Sequence, residues 1–439
     1  MNSLLKSLQM VRTESSGLPC IVEDYLGGGG QGEVYRAWWA GETVALKWYF
    51  AHQATREQRS ALEDLIKIGS PTESFLWPLE LASNRTSARG FGYVMPLRDP
   101  RFKSIVDLMK RRAEPGFHAL VTACIGLADS YLRLHALGLC YRDISFGNVF
   151  FDPDSGDVLI CDNDNVGVDG TLRAGVLGTP RFMAPEVVRA EAPPSIHTDL
   201  YSLAVLLFYL LMVHHPLEGK REAAIKCLDL PAMNRLYGDQ PLFIFHPFDS
   251  SNAPLPTRHA NALAFWPIYP RFIRQLFTRA FVDGLNDPAK RVRESEWRTA
   301  LARLRDQIFY CECGQENFYC SETHRETGAY ARACWSCGRL PKLPLRLQIG
   351  GHQMMLNWDT RLFPHHIEPD LPYDFTAPAA EMTENPNRPG QWGLKNLSNG
   401  SWRVFTADGQ VRGVDPGRSV ALAMGTRIDF GRAHGEVIF

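Results

Sequence analysis

The sequence predicts an α+β multidomain protein, and three features of its 439 residues support this prediction. Up to about Arg98 the chain is strand-like with one helical stretch, and glycines stand between the apolar residues. The pattern then becomes mostly helical as far as Ile308. Five cysteines crowd between Cys311 and Cys337, and a second region of strands and turns continues to Phe439.

Within these regions, periodicity predicts individual elements. The apolar run at 200–213 has 14 residues, too few to cross a bilayer, so we expect a buried helix there. Helical spacing also marks 55–68 and 119–137. Residues 231–270 are rich in proline, asparagine and aromatic residues, which favours an irregular insertion.

Composition and charge exclude several classes of protein. Apolar residues make up 45% and charged residues 22% of the chain, which is typical of soluble globular proteins and excludes a disordered or fibrous chain. A net charge of −1 provides no overall positive field for nucleic acid or an anionic membrane surface. The first 20 residues lack a signal-peptide core, and ten cysteines in so long a chain do not indicate a disulfide scaffold. We therefore expect a cytoplasmic protein that binds neither membranes nor nucleic acid.

A glycine-rich segment and a following lysine predict a nucleotide phosphate site. The segment LGGGGQGEVY at 26–35 fits the pattern G-x-G-x-x-G-x-V, in which glycine lets the backbone approach phosphates closely. The strand VALK at 44–47 places Lys47 15 residues after Gly32, where a cation reaches the α- and β-phosphates. Because the residues after the glycines are strand-like, a hairpin over the nucleotide is favoured over a Rossmann turn.

Three polar residues further along predict phosphoryl-transfer chemistry. Asp143 and Asn148 lie in the segment YRDISFGN at 141–148, and Asp162 ends a strand-like run 14 residues after Asn148. Phosphoryl transfer needs Mg²⁺ held by oxygen ligands and a carboxylate that accepts the hydroxyl proton. Asp143 suits the base, whereas Asn148 and Asp162 suit the metal.

With these motifs in order, residues 21–308 resemble a protein kinase of the eukaryotic Ser/Thr type. Further matches are Ala184-Pro185-Glu186, Asp199 at the start of the buried helix and Asp287–Arg291. The resemblance implies a bilobal fold with an N-lobe at 21–98, a C-lobe at 99–308 and an N-terminal extension at 1–20. It also implies that Glu186 pairs with Arg291 and that Asp199 bonds the catalytic-loop backbone.

The same resemblance implies the activity and the site. The chain would use ATP and Mg²⁺ to phosphorylate Ser/Thr hydroxyls of protein substrates, including its own. The implied catalytic residues are Asp143, Lys47 and Asn148, and Met95 would be the gatekeeper of the adenine pocket. The residues implied around the nucleotide and its Mg²⁺ are Gly27, Gly29, Gly32, Val34, Ala45, Lys47, Glu63, Met95, Asn148 and Asp162.

The sequence also departs from the kinase pattern. Asp162-Asn163-Asp164 replaces Asp-Phe-Gly, and Ser145 replaces the usual γ-phosphate lysine. Two glutamates of the predicted helix could pair with Lys47. Glu63 is favoured by its distance along the chain from Lys47, whereas Glu57 shares a helical face with the apolar residues Ala61, Leu65 and Ile68. No metal ligand or base is lost, so we expect an active kinase; the alternative is a nucleotide-binding pseudokinase scaffold.

The activation segment suggests one route of regulation. Thr171 lies in a turn of this segment, and its phosphate would be held by Arg142. An ordinary surface threonine is the alternative interpretation.

Two glycine-ended cysteine pairs predict a structural zinc ribbon at 309–342. The expected Zn²⁺ ligands are Cys311, Cys313, Cys334 and Cys337, and Cys320 or His324 could replace one of them. Thiolates on two such turns converge on the tetrahedral geometry that zinc prefers.

Residues 343–439 predict a β-sandwich, similar in order to the latter half of forkhead-associated domains. Asn399 would match that family's asparagine beside the phosphothreonine peptide, but no Arg/Ser phosphate clamp is evident. Phosphopeptide binding and a structural or docking role therefore both stay open. The whole architecture resembles bacterial kinases of tellurite-resistance-associated phosphorylation modules, which implies a von Willebrand-type protein and a metal-dependent protein phosphatase as partners.

Overall fold

The computed structural model describes residues 4–84, 90–170, 178–320, 332–368, 370–406 and 409–439. Contacts divide the chain into two compact units. The first contains Met1–Pro115, Thr122–Leu263 and Leu276–Arg298; the second contains Gly116–Val121, Ala264–Gln275 and Thr299–Phe439. The five segments expected from the sequence are a finer division and stay a prediction.

The first unit begins with a closed antiparallel barrel that includes the predicted glycine-rich hairpin. Around the barrel the strand order is β1-β2-β3-β4-β6-β5. These strands are β1 (Met10–Thr13), β2 (Pro19–Gly28), β3 (Gly32–Trp39), β4 (Glu42–Tyr49), β5 (Glu80–Ser83) and β6 (Phe91–Pro96).

Helix α1 (Arg56–Ile68) follows β4 and confirms the helical spacing at 55–68. The Thr55 hydroxyl caps the helix by accepting a hydrogen bond from the backbone of Gln58. Ala61, Leu62 and Leu65 form its buried face.

The remainder of the first unit is mainly helical around α5 (Ile196–Met212), whose residues from Thr198 onward are all buried. Ser195 and Thr198 form a capping box that begins this helix, which confirms the buried helix predicted at 200–213. No helix in the described part of the chain is long and apolar enough to cross a membrane.

Further strands and helices lie before and after α5 in the chain, some of them divided between the two units. The segment 231–270 is largely irregular, as expected. The strands are β7 (Lys103–Ser104), β8 (Leu139–Cys140), β9 (Val149–Phe151), β10 (Val158–Ile160) and β11 (Gly167–Val168). The helices are α2 (Ile105–Met109), α3 (Phe117–Ala136), α4 (Pro185–Val188), α6 (Lys220–Ala223), α7 (Leu230–Met233), α8 (Ala260–Phe265), α9 (Arg271–Phe281), α10 (Asp283–Asn286) and α11 (Glu294–Asp306). Single helical turns are Asn163–Asn165, Asn234–Asp239, Ser250–Asn252 and Pro288–Lys290.

The second unit is rich in β-structure. The hairpin of β12 (Ile308–Tyr310) and β13 (Glu316–Phe318) precedes two antiparallel sheets. The first sheet has the order β15-β14-β23-β22-β19-β20, and the second has the order β16-β17-β18-β21. The elements are β14 (Arg346–Ile349), β15 (His352–Met355), β16 (Arg361–Leu362), α12 (Pro364–Ile367), β17 (Ala380–Glu384), β18 (Trp392–Asn396), β19 (Trp402–Phe405), β20 (Val411–Val414), β21 (Ser419–Ala421), β22 (Arg427–Asp429) and β23 (His434–Ile438).

One hydrophobic core serves both sheets of this unit. Leu347 and Val437 of the first sheet belong to the same buried cluster as Ala380 and Leu394 of the second. The two sheets therefore bury apolar side chains in one shared cluster.

A buried histidine of α3 links this helix to two other helices, α5 and α11. His135 of α3 bonds Asp199 of α5 through Nε2 at 3.1 Å and Glu294 of α11 through Nδ1. Burial by itself lowers the pKa of His135, but the hydrogen bonds with both carboxylates outweigh burial and raise this pKa to about 9. His135 is therefore charged at neutral pH.

This charge predicts a pH-dependent stability. Because the folded pKa of His135 lies above its ordinary value of 6.5, its stabilisation is fully present below pH 6.5 and is lost as pH rises through about 9. We expect the urea midpoint of His135→Gln to lie below that of the wild type at pH 6.5, and the difference to shrink by pH 9. His197→Gln, at an exposed position of α5, is the matched control. A difference that stays constant between the two pH values would contradict this role.

Candidate active site

The glycine-rich turn between β2 and β3 is built on a close approach of two strands. The backbone NH of Gly29 donates to the carbonyl of Gly32 at 3.0 Å, which closes the turn. Gly32 lies opposite Tyr49 of β4, and a Cβ at Gly32 would stand 2.2 Å from the carbonyl oxygen of Trp48. Glycine is therefore required at position 32 for packing.

Strands β3, β4 and β6 bring the predicted nucleotide-binding residues side by side. Val34 pairs with Lys47 between β3 and β4, and Ala45 pairs with Met95 between β4 and β6. Ala45, Lys47 and Met95 are all buried. Gly27 pairs with Val34 across the glycine-rich hairpin, so these residues share one surface of the barrel.

The Lys47 ammonium lies among three acceptor side chains. Its Nζ is 2.9 Å from both carboxylate oxygens of Asp164, 3.5 Å from Asp162 Oδ1 and 3.0 Å from Gln31 Oε1. Burial by itself lowers the pKa of Lys47, but the charges of Asp164 and Asp162 outweigh burial, so this pKa is raised. Lys47 is therefore a fixed cation at neutral pH.

The expectation that Glu63 or Glu57 pairs with Lys47 is wrong: among the described residues, the carboxylates paired with Lys47 are those of Asp162 and Asp164. Glu63 pairs with Arg59 on its own helix at 3.2 Å, and Glu57 is exposed in the first turn of α1. The α1 residue that reaches the partners of Lys47 is Gln58, whose amide donates to the Tyr49 hydroxyl and to the Asp164 carbonyl. Helical spacing indicated a helix here and placed Ala61 and Leu65 on its buried face, but it did not show that Glu57 is exposed and that Gln58 reaches the site.

Asp164 is the main site residue that the sequence did not predict. Its side chain is completely buried, and the hydroxyls of Tyr49 and Tyr93 donate to it, the latter at 3.2 Å. Burial first, and the Asp164 charge second, raise the pKa of both tyrosines, so both phenols keep their protons. A signal was present in the sequence: Tyr49 lies two residues after Lys47 and thus on the same face of β4.

The catalytic loop holds Asp143 by two side chains. Asn148 Nδ2 donates to the Asp143 carbonyl at 3.0 Å and to Oδ2 at 3.1 Å, and the Thr179 hydroxyl donates to Oδ1 at 2.9 Å. Burial raises the pKa of Asp143 and the nearby Asp162 charge adds to this, while the Thr179 and Asn148 bonds partly oppose it. A carboxylate with a raised pKa accepts a proton more readily.

Two further contacts expected from the kinase resemblance are confirmed. Asp199 accepts hydrogen bonds from the backbone NH groups of Tyr141 and Arg142, at 2.5 and 3.1 Å. Arg291 forms a two-bond ion pair with Glu186, with both distances 2.8 Å. The expected phosphorylation site, Thr171, lies outside the described residues.

The Asp162-Asn163-Asp164 turn shows how the departure from Asp-Phe-Gly is accommodated. Asp162 has a left-handed backbone with φ of +52°, and its side chain is 43% exposed. Asn163 is buried where an apolar residue is usual, and its amide donates to the carbonyl of Ile160 at 3.0 Å. The turn therefore presents Asp162 to the site and sends Asp164 into the interior.

In the second unit, four cysteines converge as the sequence predicted. The sulfurs of Cys311, Cys313, Cys334 and Cys337 all lie within 4.8 Å of one another, with pairs at 3.7 and 3.8 Å. With Zn–S bonds of about 2.3 Å, a tetrahedron separates its sulfurs by about 3.8 Å, so the four sulfurs fit zinc. Cys320 is not in this group, and His324 lies outside the described residues.

Asp306, His352 and His366 form another group of metal-binding residue types in this unit. His366 Nδ1 accepts a hydrogen bond from the backbone of Phe363 at 2.8 Å, so the proton of a neutral ring is on Nε2. That Nε2 lies 3.3 Å from Asp306 and has no lone pair left for a metal. His352 Nδ1 lies 3.7 Å from Asp306 Oδ2, and we interpret the group as a histidine–carboxylate cluster and not as a metal site.

Comparison with known proteins supports the kinase motifs. Residues 110–253 match the family model described as the protein kinase domain. The chain carries a protein kinase domain. The matched region contains Asp143, Asn148, Asp162, Glu186 and Asp199, whereas the glycine-rich hairpin and Lys47 precede it.

The kinase domain is also similar to Ser/Thr kinases of several organisms. A probable serine/threonine-protein kinase, CCRP1, of Zea mays is 31% identical over 119 residues, which are 26% of this chain and 19% of that protein. The probable serine/threonine-protein kinase gdt4 of Dictyostelium discoideum is 29% identical over 216 residues, 46% of this chain and 12% of that protein. CBL-interacting protein kinase 4 of Oryza sativa subsp. japonica is 34% identical over 104 residues, 23% of each chain. The chain thus spans less than a quarter of the length of these relatives.

The close approach at Gly32 predicts a difference between two glycines of the same turn. Gly32→Ala should lower the free energy of unfolding by about 1–3 kcal/mol, because its Cβ collides with a backbone carbonyl of β4. Gly30→Ala should have a much smaller effect, since no atom lies within 4 Å of the added carbon. Denaturant unfolding of both variants tests this, and equal losses of stability would contradict it.

Proposed function

We propose that the chain is an ATP-dependent Ser/Thr protein kinase, with itself among its substrates. The observation that carries the proposal is the position of Asp143, held by Asn148 and Thr179 in the same unit as Lys47 and Asp162. This combination supplies a proton acceptor, a phosphate-binding cation and an oxygen ligand for a metal, which are the parts that phosphoryl transfer requires.

In the proposed reaction, the substrate hydroxyl oxygen forms a bond to the γ-phosphorus of ATP. The bond between that phosphorus and the β–γ bridging oxygen breaks, and ADP leaves with the electron pair. The hydroxyl proton passes to the Asp143 carboxylate. Burial around Asp143 and the hydrogen bonds to both of its oxygens orient it for this step.

The residues present suit the cofactors. The carboxamide of Asn148 and the half-exposed carboxylate of Asp162 would hold Mg²⁺, which neutralises charge on the β- and γ-phosphates when bound. Lys47 would contact the α- and β-phosphates, which would take the place that Gln31 now occupies at its Nζ. The close backbone turn at Gly29–Gly32 leaves room for those phosphates.

We propose a structural zinc for the four-cysteine group of the second unit. The two knuckles have matching backbone bonds: Gly314 donates to the Cys311 carbonyl at 2.8 Å, and Gly338 donates to the Cys334 carbonyl at 2.9 Å. Both glycines have a positive φ, which favours glycine at these turns. The sulfur spacing and this repeated turn support one tetrahedral zinc.

The sheets of the second unit are a candidate docking module. Asn399, the asparagine expected beside a phosphothreonine, is exposed in the turn after β18, whereas Asn396 is buried and bonds the carbonyls of Gly400 and Val414. An exposed Asn399 suits contact with a peptide. A von Willebrand-type protein and a metal-dependent phosphatase remain the partners that we propose.

The proton acceptor provides the direct test of the kinase proposal. Asp143→Asn should lower the transfer of labelled γ-phosphate to the chain and to a generic Ser/Thr substrate by about 100-fold or more, since the amide cannot accept the proton. ATP affinity should change little. Asp157→Asn, an exposed carboxylate outside the site, is the matched control. Equal label in Asp143→Asn and the wild type would contradict kinase activity, and ATP binding without any transfer would favour the scaffold.

The zinc proposal predicts metal content and stability. Full-length protein purified without chelator should contain one zinc per chain by elemental analysis, and Cys334→Ser should lose it and unfold this region more easily. Cys320→Ser, which changes a cysteine outside the group, should keep its zinc. Equal zinc content in the two variants would exclude the assigned ligands.

A further inference from the structure

We infer that Asp164 positions Lys47, in the role that a glutamate of the helix after the lysine strand has in other kinases. This inference rests on the proposed function. Both oxygens of Asp164 are 2.9 Å from Lys47 Nζ, and its side chain is completely buried. Charge-assisted contacts with both oxygens of a buried carboxylate hold the ammonium in one position.

The surroundings of Asp164 supply hydrogen-bond donors to both of its carboxylate oxygens. Tyr49 and Tyr93 donate to its two oxygens; Tyr49 lies on the same strand as Lys47, and Tyr93 lies opposite Lys47 on β6. Gln58 of α1 donates to the Tyr49 hydroxyl at 3.1 Å and to the Asp164 carbonyl at 3.3 Å. A buried carboxylate with several donors is stable in the interior, where an unpaired one would be costly.

Glu63, the glutamate that was expected to pair with Lys47, has a different partner. Glu63 is engaged by Arg59, and Arg59 also pairs with Glu14. Among the described residues, the carboxylates paired with Lys47 are those of Asp162 and Asp164. Because Asp164 takes the bidentate contact, Asp162 stays half-exposed for a metal.

This arrangement changes what must move to assemble the site. In kinases that use the helix glutamate, the lysine is positioned only when that helix swings inward. Here the partner of Lys47 lies two residues from Asp162, in the turn that would carry the metal ligand. Lys47 and that turn are therefore positioned together. Helix α1 supports the pair through the hydrogen bonds of Gln58 and through Leu62, which belongs to the same buried cluster as Tyr49 and Tyr93.

The experiment compares kcat and KM for ATP in the full-length chain. Asp164→Asn should lower kcat/KM on the order of 10- to 100-fold, the loss typical when a residue that orients a functional group is removed. KM for the protein substrate should not change, since Asp164 is buried away from it. Asp64→Asn, an exposed carboxylate of α1 paired only with Lys67 among the described residues, is the matched control.

A rescue pair distinguishes positioning from general packing. Asp164→Gly should reduce kcat/KM as well, and Gln58→Glu in the same chain should restore at least 10-fold of the loss, because it supplies a carboxylate from α1. No rescue, together with a loss in Glu63→Gln as large as in Asp164→Asn, would overturn the inference. Rescue with little effect of Glu63→Gln supports it.

A nucleotide titration separates this inference from the kinase proposal. The Kd of a fluorescent ATP analogue should rise in Asp164→Asn, and Gln58→Glu should lower it again in the glycine variant. If the wild type binds nucleotide but transfers no phosphate, the kinase proposal fails and these Kd values still decide the role of Asp164. A wild type that binds no nucleotide would overturn both.

Discussion

The buried ion pair between Lys47 and Asp164 determines the layout of the first unit's site. It joins a barrel strand to the turn after β10, and two tyrosine hydroxyls complete its hydrogen bonding. Loss of one partner of such a pair leaves a buried charge and costs about 3–5 kcal/mol. Function and stability therefore depend on the same atoms, and Asp162 is left available because its neighbour two residues later is committed to the lysine.

A second charged network sets the catalytic loop. Asp199 binds two backbone NH groups of that loop and also His135, which is charged through Glu294. The loop thus receives its shape from α5, the most deeply buried helix of the unit. Within this loop, Asn148 and Thr179 orient Asp143 by donating one hydrogen bond to each of its carboxylate oxygens.

The second unit is stabilised mainly by an apolar core, and it also contains the four-cysteine group. Its sheets share an extended apolar core, and in the region of the β12–β13 hairpin four sulfurs come together over short turns beside a much smaller apolar cluster of Phe309, Tyr319 and Met355. Small segments of that kind lack a core large enough for stability and usually depend on a metal. The proposed zinc would therefore add to the order that the apolar clusters give this unit, one of which joins β12 to β15 through Phe309 and Met355.

Local patterns in the sequence determined the helices, the glycine-rich hairpin, the order of the kinase motifs and the cysteine pairs. These features depend on neighbours within a few residues, where spacing reports geometry directly. Only the tertiary structure decided that Asp164, and neither Glu57 nor Glu63, pairs with Lys47. The reason is that helical periodicity leaves the rotation of α1 open, and a carboxylate 117 residues from its lysine is brought close only by the packing of distant elements.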